Sequence, residues 1–332
     1  MKTKEHKPGM DLIKKYEKKL QLIRDESSKI VVGQEEVINS LLRALLCDGH
    51  VLLEGIPGIA KTLIVRTLAK VIGCDYSRIQ FTADLLPTDL VGLTAYIKEK
   101  NEFQVNKGPV FANFVIADEI NRSPPKTQSA LLEAMQERQV TIGTKTYPLP
   151  DPFFVMATQN PIESSGVYPL PEAQIDRFLF KTKIIYPKLN EENEILKKNI
   201  TLQRFEEVKL EKVTNPKELV KMQDFVKQIY LSKEVENYVI KLVDATRNPG
   251  KYKINSGRYI EWGASPRGSI GLYIAGKAEA LIQGSNFVTP VHIKTVAHDV
   301  LRHRLLLNYE GQAENIKTDD IITEILEKVP IP

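Results

Sequence analysis

The stretch His50–Thr62, HVLLEGIPGIAKT, restricts the fold more than any other part of the chain. Val51-Leu52-Leu53 is a short apolar run and predicts a buried strand. It runs straight into a loop containing Gly55, Pro57 and Gly58, then into Lys61 and Thr62, and then into a helical pattern from Leu63 to Ile72 that Gly73 is placed to stop. Strand, glycine loop, Lys-Thr and helix is the layout of a phosphate-binding loop. Glycines let backbone N–H groups turn inward around phosphate oxygens. The start of the helix adds its unpaired N–H groups and the positive end of its dipole. In such a loop Lys61 reaches the β- and γ-phosphates and Thr62 offers a hydroxyl to Mg²⁺. The candidate phosphate-binding set is Gly55, Pro57, Gly58, Ile59, Ala60, Lys61, Thr62 and Leu63. The general pattern G-x-x-x-x-G-K-[ST] has glycine where this chain has Ala60, which fits only where φ is negative, as at the start of a helix. The plainer reading is a strand–turn–helix with an incidental Lys-Thr.

A second constraint is Phe111–Arg122, FANFVIADEINR. Phe114–Ala117 predicts a buried strand with Asp118 and Glu119 at its C-terminal end. Burying charge is costly, and strand ends beside a phosphate loop are where α/β sheets bind ligands. There Asp118 can hold Mg²⁺ through water and Glu119 can polarise an attacking water; the alternative is a strand end turning into solvent. Phe153–Thr158 predicts another buried strand, closed by Gln159-Asn160-Pro161, where Asn160 either reads the γ-phosphate and orients water or belongs to an ordinary Asn-Pro turn. Upstream, Ile30–Gln34 predicts an extended stretch in which Val31 and Val32 either cover an adenine base or serve as a linker.

The remaining pattern sets the architecture. Helices are expected over 11–24, with Leu12, Ile13, Tyr16, Leu20 and Ile23 on one face, and over Glu35–Leu46. Ser77–Phe81 predicts a second strand, Leu93–Gly108 an inserted hairpin, Lys126–Glu137 a helix and Gln139–Tyr147 a second hairpin. Pro171–Phe178 reads as a short helix ending in Asp176-Arg177, followed by a last strand, Phe178–Ile185. Beyond Tyr186-Pro187 the pattern is almost wholly helical: Glu191–Lys198, Pro216–Ile229, Lys233–Thr246, Pro266–Ile282 and Pro290–Leu307. In GASPRGS, Ser265 is placed as N-cap and Pro266 as first helical residue. Arg267 then lies in the first turn, where a cation opposes the helix dipole and points to a nearby anion, unless it is a plain exposed arginine. His298 and His303 read as polar-side residues of a basic helix, AHDVLRHRLLL, rather than as metal ligands.

Composition narrows the class. The chain has 332 residues, 42% hydrophobic and 27% charged, ordinary for a soluble globular protein of one large or two domains. A net charge of +4 is too small to argue nucleic-acid binding, and the Lys-rich N-terminus reads as a solvated tail leading into a helix. Cys47 and Cys74 form no short-spaced pair, which fits structural thiols in a reducing cytosol. No apolar run approaches a membrane span, so a cytoplasmic location is expected. There is no internal repeat.

Together GIPGIAKT, FVIADEINR, FFVMATQNPIE, LPEAQIDRF and GASPRGS, in this order, resemble an AAA+ ATPase of the MoxR family, from about Ile30 to Tyr309. The resemblance implies a P-loop α/β core, a parallel sheet flanked by helices, followed by an all-α lid. The expected divisions are a tail and helix over 1–27, the nucleotide-binding domain over 28–187 and the lid over 188–332. It places Gly55, Gly58, Lys61 and Thr62 in Walker A and Asp118 and Glu119 in Walker B. Asn160 becomes sensor 1, Arg177 the arginine finger and Arg267 sensor 2. It also implies ATP with Mg²⁺ hydrolysed between subunits of a ring, commonly a hexamer. The implied work is chaperone-like: remodelling, maturation or metal and cofactor insertion of client proteins, typically ones with von Willebrand factor A domains. Other readings are a nucleic-acid motor, which needs a basic surface interleaved with aromatics, and a non-hydrolysing ATP switch, which would lack Glu119 or Arg177.

Overall fold

The computed structural model describes residues 9–55, 61–99, 101–159, 166–198 and 205–332. In chain order the first part comprises α1 (Met10–Ser28), α2 (Glu35–Leu46), β1 (Val51–Glu54), α3 (Lys61–Ile72), β2 (Tyr76–Gln80), α4 (Pro87–Val91), β3 (Gly92–Ile97) and β4 (Glu102–Lys107). Then follow β5 (Phe114–Asp118), α5 (Pro125–Glu137), β6 (Gln139–Ile142), β7 (Lys145–Pro148), β8 (Phe154–Gln159), α6 (Glu172–Ile175) and β9 (Phe180–Lys183). Five of these strands form one parallel sheet in the order β2-β5-β8-β1-β9. Phe114–Ala117, Phe154–Thr158 and Val51–Leu53 are buried, as strands covered on both faces must be. Glu54 pairs with Gln159, and Gln80 with Asp118, so the C-terminal ends of these strands line one edge.

The inserted hairpins form as expected, β3 with β4 and β6 with β7. Helix α1 runs further than its apolar period suggests, to Ser28; it buries Ile13, Tyr16, Leu20 and Ile23 but leaves Leu12 exposed. Gly73 ends α3 with φ +74°, a left-handed residue where glycine is favoured.

The second part comprises α7 (Leu189–Lys198), α8 (Pro216–Gln228), α9 (Lys233–Arg247), β10 (Ile260–Trp262), α10 (Pro266–Ile282), α11 (Pro290–Leu301), β11 (Leu306–Leu307), α12 (Tyr309–Ala313) and α13 (Thr318–Lys328). Ser265 caps α10, its hydroxyl accepting from the Arg267 N–H at 3.1 Å. The helical expectation fails in one place. The pattern Pro290–Leu307 is cut at Leu301, and β11 pairs with β10.

The cause is the burial of His303 and Arg304, which were expected on a polar face. Arg304 donates from Nε to Asp176 Oδ1 at 2.8 Å. It also donates from Nη2 to the Phe178 carbonyl at 2.8 Å, from Nη1 to that of Leu179 at 3.0 Å, and to that of Val300. The planar fork of donors thus replaces water with fixed oxygens. Burial still pulls its pKa down to about 10, against the pull of Asp176. His303 Nε2 lies 3.0 Å from the Phe178 carbonyl, and burial holds its pKa well below the usual histidine value. The same contacts shorten the neighbouring elements: the expected helix 171–178 is reduced to Glu172–Ile175, and the expected strand 178–185 to Phe180–Lys183.

His50 makes a comparable joint at the start of β1. Its Nδ1 accepts from the Val155 N–H at 3.1 Å and its Nε2 donates to the Met135 carbonyl at 3.2 Å, a pattern that needs the neutral ring. Burial pushes its pKa down to about 3. An unfolded histidine titrates near 6.5, so between pH 6.5 and 3 the unfolded chain binds the extra proton. This contribution is complete above about pH 6.5 and is lost as pH falls, at up to about 1.4 kcal/mol per pH unit. Chemical denaturation from pH 7 to 4 is expected to show a shallower acid decline for His50→Gln than for the native chain. Parallel slopes would remove His50 from the acid limb.

Candidate active site

The described residues bracket the glycine loop: Gly55 follows β1 and Lys61 opens α3, while Pro57, Gly58, Ile59 and Ala60 lie outside them. The Lys61 ammonium donates to the Gly55 carbonyl. Burial lowers its pKa, and Asp118, Glu119 and Glu54 oppose that shift, so the cation stands in a field of three carboxylates. Thr62 and Leu63 follow in the first turn of α3, both half-buried.

Asp118 ends β5 on the same edge, with β8 between β5 and β1. Its Oδ1 accepts from Thr158 Oγ1 at 2.7 Å. Its Oδ2 accepts from Arg78 Nη2 at 2.6 Å and Nε at 3.2 Å. Glu119 leaves the strand at φ 57° and ψ 50°, a left-handed conformation that costs a non-glycine residue about 1–2 kcal/mol. Its N–H donates to the same Thr158 hydroxyl at 2.9 Å, and its carbonyl accepts from the Arg122 N–H at 2.9 Å. The Glu119 carboxylate accepts from Gln80 Nε2 at 2.9 Å and pairs with Arg122 Nε at 3.1 Å. Thr158, buried in β8, therefore fixes both acidic residues. Arg78, Gln80, Arg122 and Thr158 were not foreseen as site residues. Arg78 and Gln80 alternate along β2 beside Asp118, and this period of two was the signal available for them.

The set suits Mg²⁺ with a nucleotide. A hydroxyl and a carboxylate are hard oxygen donors, and Mg²⁺ takes one or two such protein ligands together with phosphates and water. Among the described residues no group of three or more His, Cys, Asp or Glu is placed to cage an ion. Val31 is buried and Val32 half-buried. With Gln21, Arg24 and Asn39 they line a cavity of about 380 Å³ between α1, α2 and α7. Gln34 Nε2 donates to the Ile185 carbonyl at 3.1 Å, and Gly55 abuts Ile184, so the Val31–Val32 stretch is held at the phosphate-loop end of the sheet. Asn160 lies outside the described residues.

Arg177 and Arg267 are placed elsewhere. Leu179 N–H donates to the His50 carbonyl at 2.9 Å, and the β1–β9 register begins at Val51–Phe180 and ends at Glu54–Lys183. Arg177 precedes the first pair, whereas Lys61 follows the last. At about 3.3 Å per residue, the length of β1 separates them. Arg177 Nη1 donates to the Leu132 carbonyl at 3.2 Å. Arg267 Nη1 lies 3.7 Å from Asp176 Oδ2, which also accepts from the Ser265 hydroxyl at 2.9 Å. The anion expected near Arg267 is thus Asp176.

A parallel sheet ending in a glycine loop, Lys-Thr and an Asp-Glu pair, with a helical domain packed on it, defines a nucleotide-binding P-loop ATPase with a lid. Residues 50–180 match the ATPase family associated with various cellular activities, AAA, and residues 253–325 match the AAA lid domain. Chaperone MoxR1 of Mycobacterium tuberculosis is 46% identical over 92% of this chain and 81% of its own length. The YeaC protein of Bacillus subtilis is 44% identical over 92% of both chains. Protein MoxR of Methylorubrum extorquens is 31% identical over 98% and 99%. A crystal structure from Cytophaga hutchinsonii, 46% identical, superposes with a TM-score of 0.89 over 98% of this chain and 100% of that one. The chain belongs to the MoxR family of AAA+ ATPases.

Proposed function

We propose that this ATPase binds Mg·ATP at the Lys61 edge of the sheet, hydrolyses it with help from a neighbouring subunit, and uses the cycle to remodel or mature client proteins. The observation that carries this reading is the split of the site. Lys61, Asp118 and Glu119 converge at one end of the sheet, while Arg177 and Arg267 lie at the other, Arg177 against Leu132 and Arg267 against Asp176. A single subunit then holds each half of the machinery at opposite faces, and a ring, in our reading a hexamer, brings them together.

Within that ring the backbone from Gly55 to Leu63 and the Lys61 ammonium hold the phosphates; Val31 and Val32 cover the base. Thr62, and Asp118 through water, would hold Mg²⁺, which would supply charge neutralisation on the phosphate oxygens. Thr158 keeps Asp118 and Glu119 aligned. Glu119 takes the proton of the attacking water, Asn160 orients that water, and the neighbour's Arg177 and Arg267 meet the charge that develops on the transferring group. Before it can serve, Glu119 exchanges its bonds to Gln80 and Arg122 for one to water. We read the nucleotide-binding domain as 28–187 and the lid as 188–332, the location as cytoplasmic, and the client as one carrying a von Willebrand factor A domain. Metal or cofactor insertion falls within such maturation. The relatives named MoxR and the free thiols of Cys47 and Cys74 support this reading. Among the described residues, no helix is long and apolar enough to cross a membrane.

The test is Lys61→Ala. Truncating one partner of a buried, hydrogen-bonded charge pair costs about 2–5 kcal/mol, roughly 30- to 5,000-fold in affinity. Calorimetry with Mg·ATP is expected to show that loss, together with loss of turnover. Unchanged ATP affinity would place the nucleotide elsewhere. An ATPase rate stimulated by DNA and indifferent to candidate client proteins would favour a nucleic-acid motor instead.

A further inference from the structure

Away from the sheet, α9, the turn after it, the start of α10 and the end of α13 enclose a cleft of about 700 Å³. Five cations line it: Lys241, Arg247, Lys251, Lys253 and Lys328. They face a single lining carboxylate, Asp244, which is already engaged. Its Oδ2 accepts from Lys251 Nζ and from the Tyr252 hydroxyl, both at 2.7 Å, and its Oδ1 accepts from Asn248 Nδ2 at 2.7 Å. These bonds push its pKa down to about 2. Lys251 balances Asp244, which leaves four cations in one cleft, as large an excess as the net charge of the whole chain. Arg247 Nε donates to the Ala264 carbonyl at 2.8 Å, and Lys328 acts on Glu324 only at longer range. Among the described residues none of the four is in an ion pair. Like charges gathered without counter-ions repel one another, and an anionic partner relieves that cost.

The apolar lining narrows the partner. Ile240 is 51% exposed at the cleft, over the buried Val243. The lining offers no free ring for a base to stack on, because Tyr252 is half-buried, its hydroxyl serves Asp244, and Lys251 Nζ lies 5.2 Å from its ring centre. Single-strand binders rely on such stacking. An apolar contact ringed by cations fits a peptide better than a phosphate chain. We propose that this cleft docks a short acidic segment of a partner protein, with carboxylates on either side of an apolar side chain that rests on Ile240. The surface is separate from the nucleotide site, so the proposal stands whether or not the hydrolytic reading does.

Fluorescence anisotropy with the full chain tests it, using the labelled peptide Asp-Glu-Leu-Glu-Asp-Glu as probe. The peptide is expected to bind the native protein, and its affinity to fall at least about tenfold in Lys241→Glu/Lys253→Glu. Both residues are exposed, so thermal melting is expected to stay unchanged, as is basal ATP turnover. Ile240→Ser is expected to weaken binding with the charges intact. Absence of peptide binding, or equal binding by the charge-reversed variant, would overturn the proposal. So would displacement by inorganic phosphate at equal concentration, which would mark a simple anion site. Tighter binding of oligothymidylate, lost in the same variant, would make the cleft a nucleic-acid surface.

Discussion

Replacing Arg177 by alanine is expected to leave ATP binding intact and to lower hydrolysis by roughly 10³–10⁵-fold, the range an arginine finger supplies. The position argues for this. Arg177 sits before the first β1–β9 pair, on the far side of the sheet from its own Lys61. Among the described residues its guanidinium gives one hydrogen bond, to the Leu132 carbonyl, and it borders a shallow pocket of about 260 Å³ with Gln174, Glu133 and Glu137. A structural ion pair with Glu172 or Asp176 is the competing role. Asp176 is instead engaged by Arg304, Ser265 and Arg267, and among the described residues Arg177 has no ion pair with Glu172. One lost hydrogen bond costs about 0.5–1.5 kcal/mol, so the melting temperature of Arg177→Ala is expected to move little. Mixing Arg177→Ala with Lys61→Ala subunits is expected to restore part of the activity, because some interfaces then join an intact loop to an intact arginine. A strongly destabilised variant would argue for a structural role. A mixture that stays inactive, although mixed rings form, would remove the finger from the neighbour's site.

Glu119→Gln is expected to bind Mg·ATP with native affinity and to hydrolyse it about 10²–10⁴-fold more slowly, the usual worth of a positioned general base. The amide keeps the shape of the carboxylate and can still accept from Gln80, but it cannot take a proton from water. The left-handed backbone at this residue is held by Thr158 and by the Arg122 N–H, neither of which the substitution touches. Calorimetry and single-turnover hydrolysis separate the two effects, and trapped client complexes should accumulate in the variant. Turnover near the native rate would assign the base to another group.

What could be read in the chain was whatever has a local cause. The helix Glu35–Leu46, both hairpins and the Ser265 cap follow from periodicity, turn chemistry and capping, and they stand where the pattern puts them. The placement of Lys61 and Thr62 at the start of α3 and of Asp118 and Glu119 at the end of β5 was legible for the same reason, because each pair is contiguous with its element. What escaped was set by distant partners. Arg304 looks like a solvated residue of a basic helix, and only its meeting with Asp176, 128 positions away, makes it a buried one. The β10–β11 pair escaped because strands of three and two residues carry no periodicity. Arg78 and Gln80 read as the polar side of an ordinary strand until β2 is laid against β5.

The meeting of Arg304 and Asp176 has a mechanical meaning. Asp176 is the residue before Arg177, and three groups from the second half of the chain grip it: Arg304 after α11, Ser265 at the cap of α10 and Arg267 in its first turn. Arg304 also fastens the carbonyls of Phe178 and Leu179. The lid and the turn bearing the arginine are thus riveted into one rigid lever. Any swing of the lid that keeps these rivets carries Arg177 with it; in the ring proposed above, one subunit's lid position would set that subunit's reach toward its neighbour.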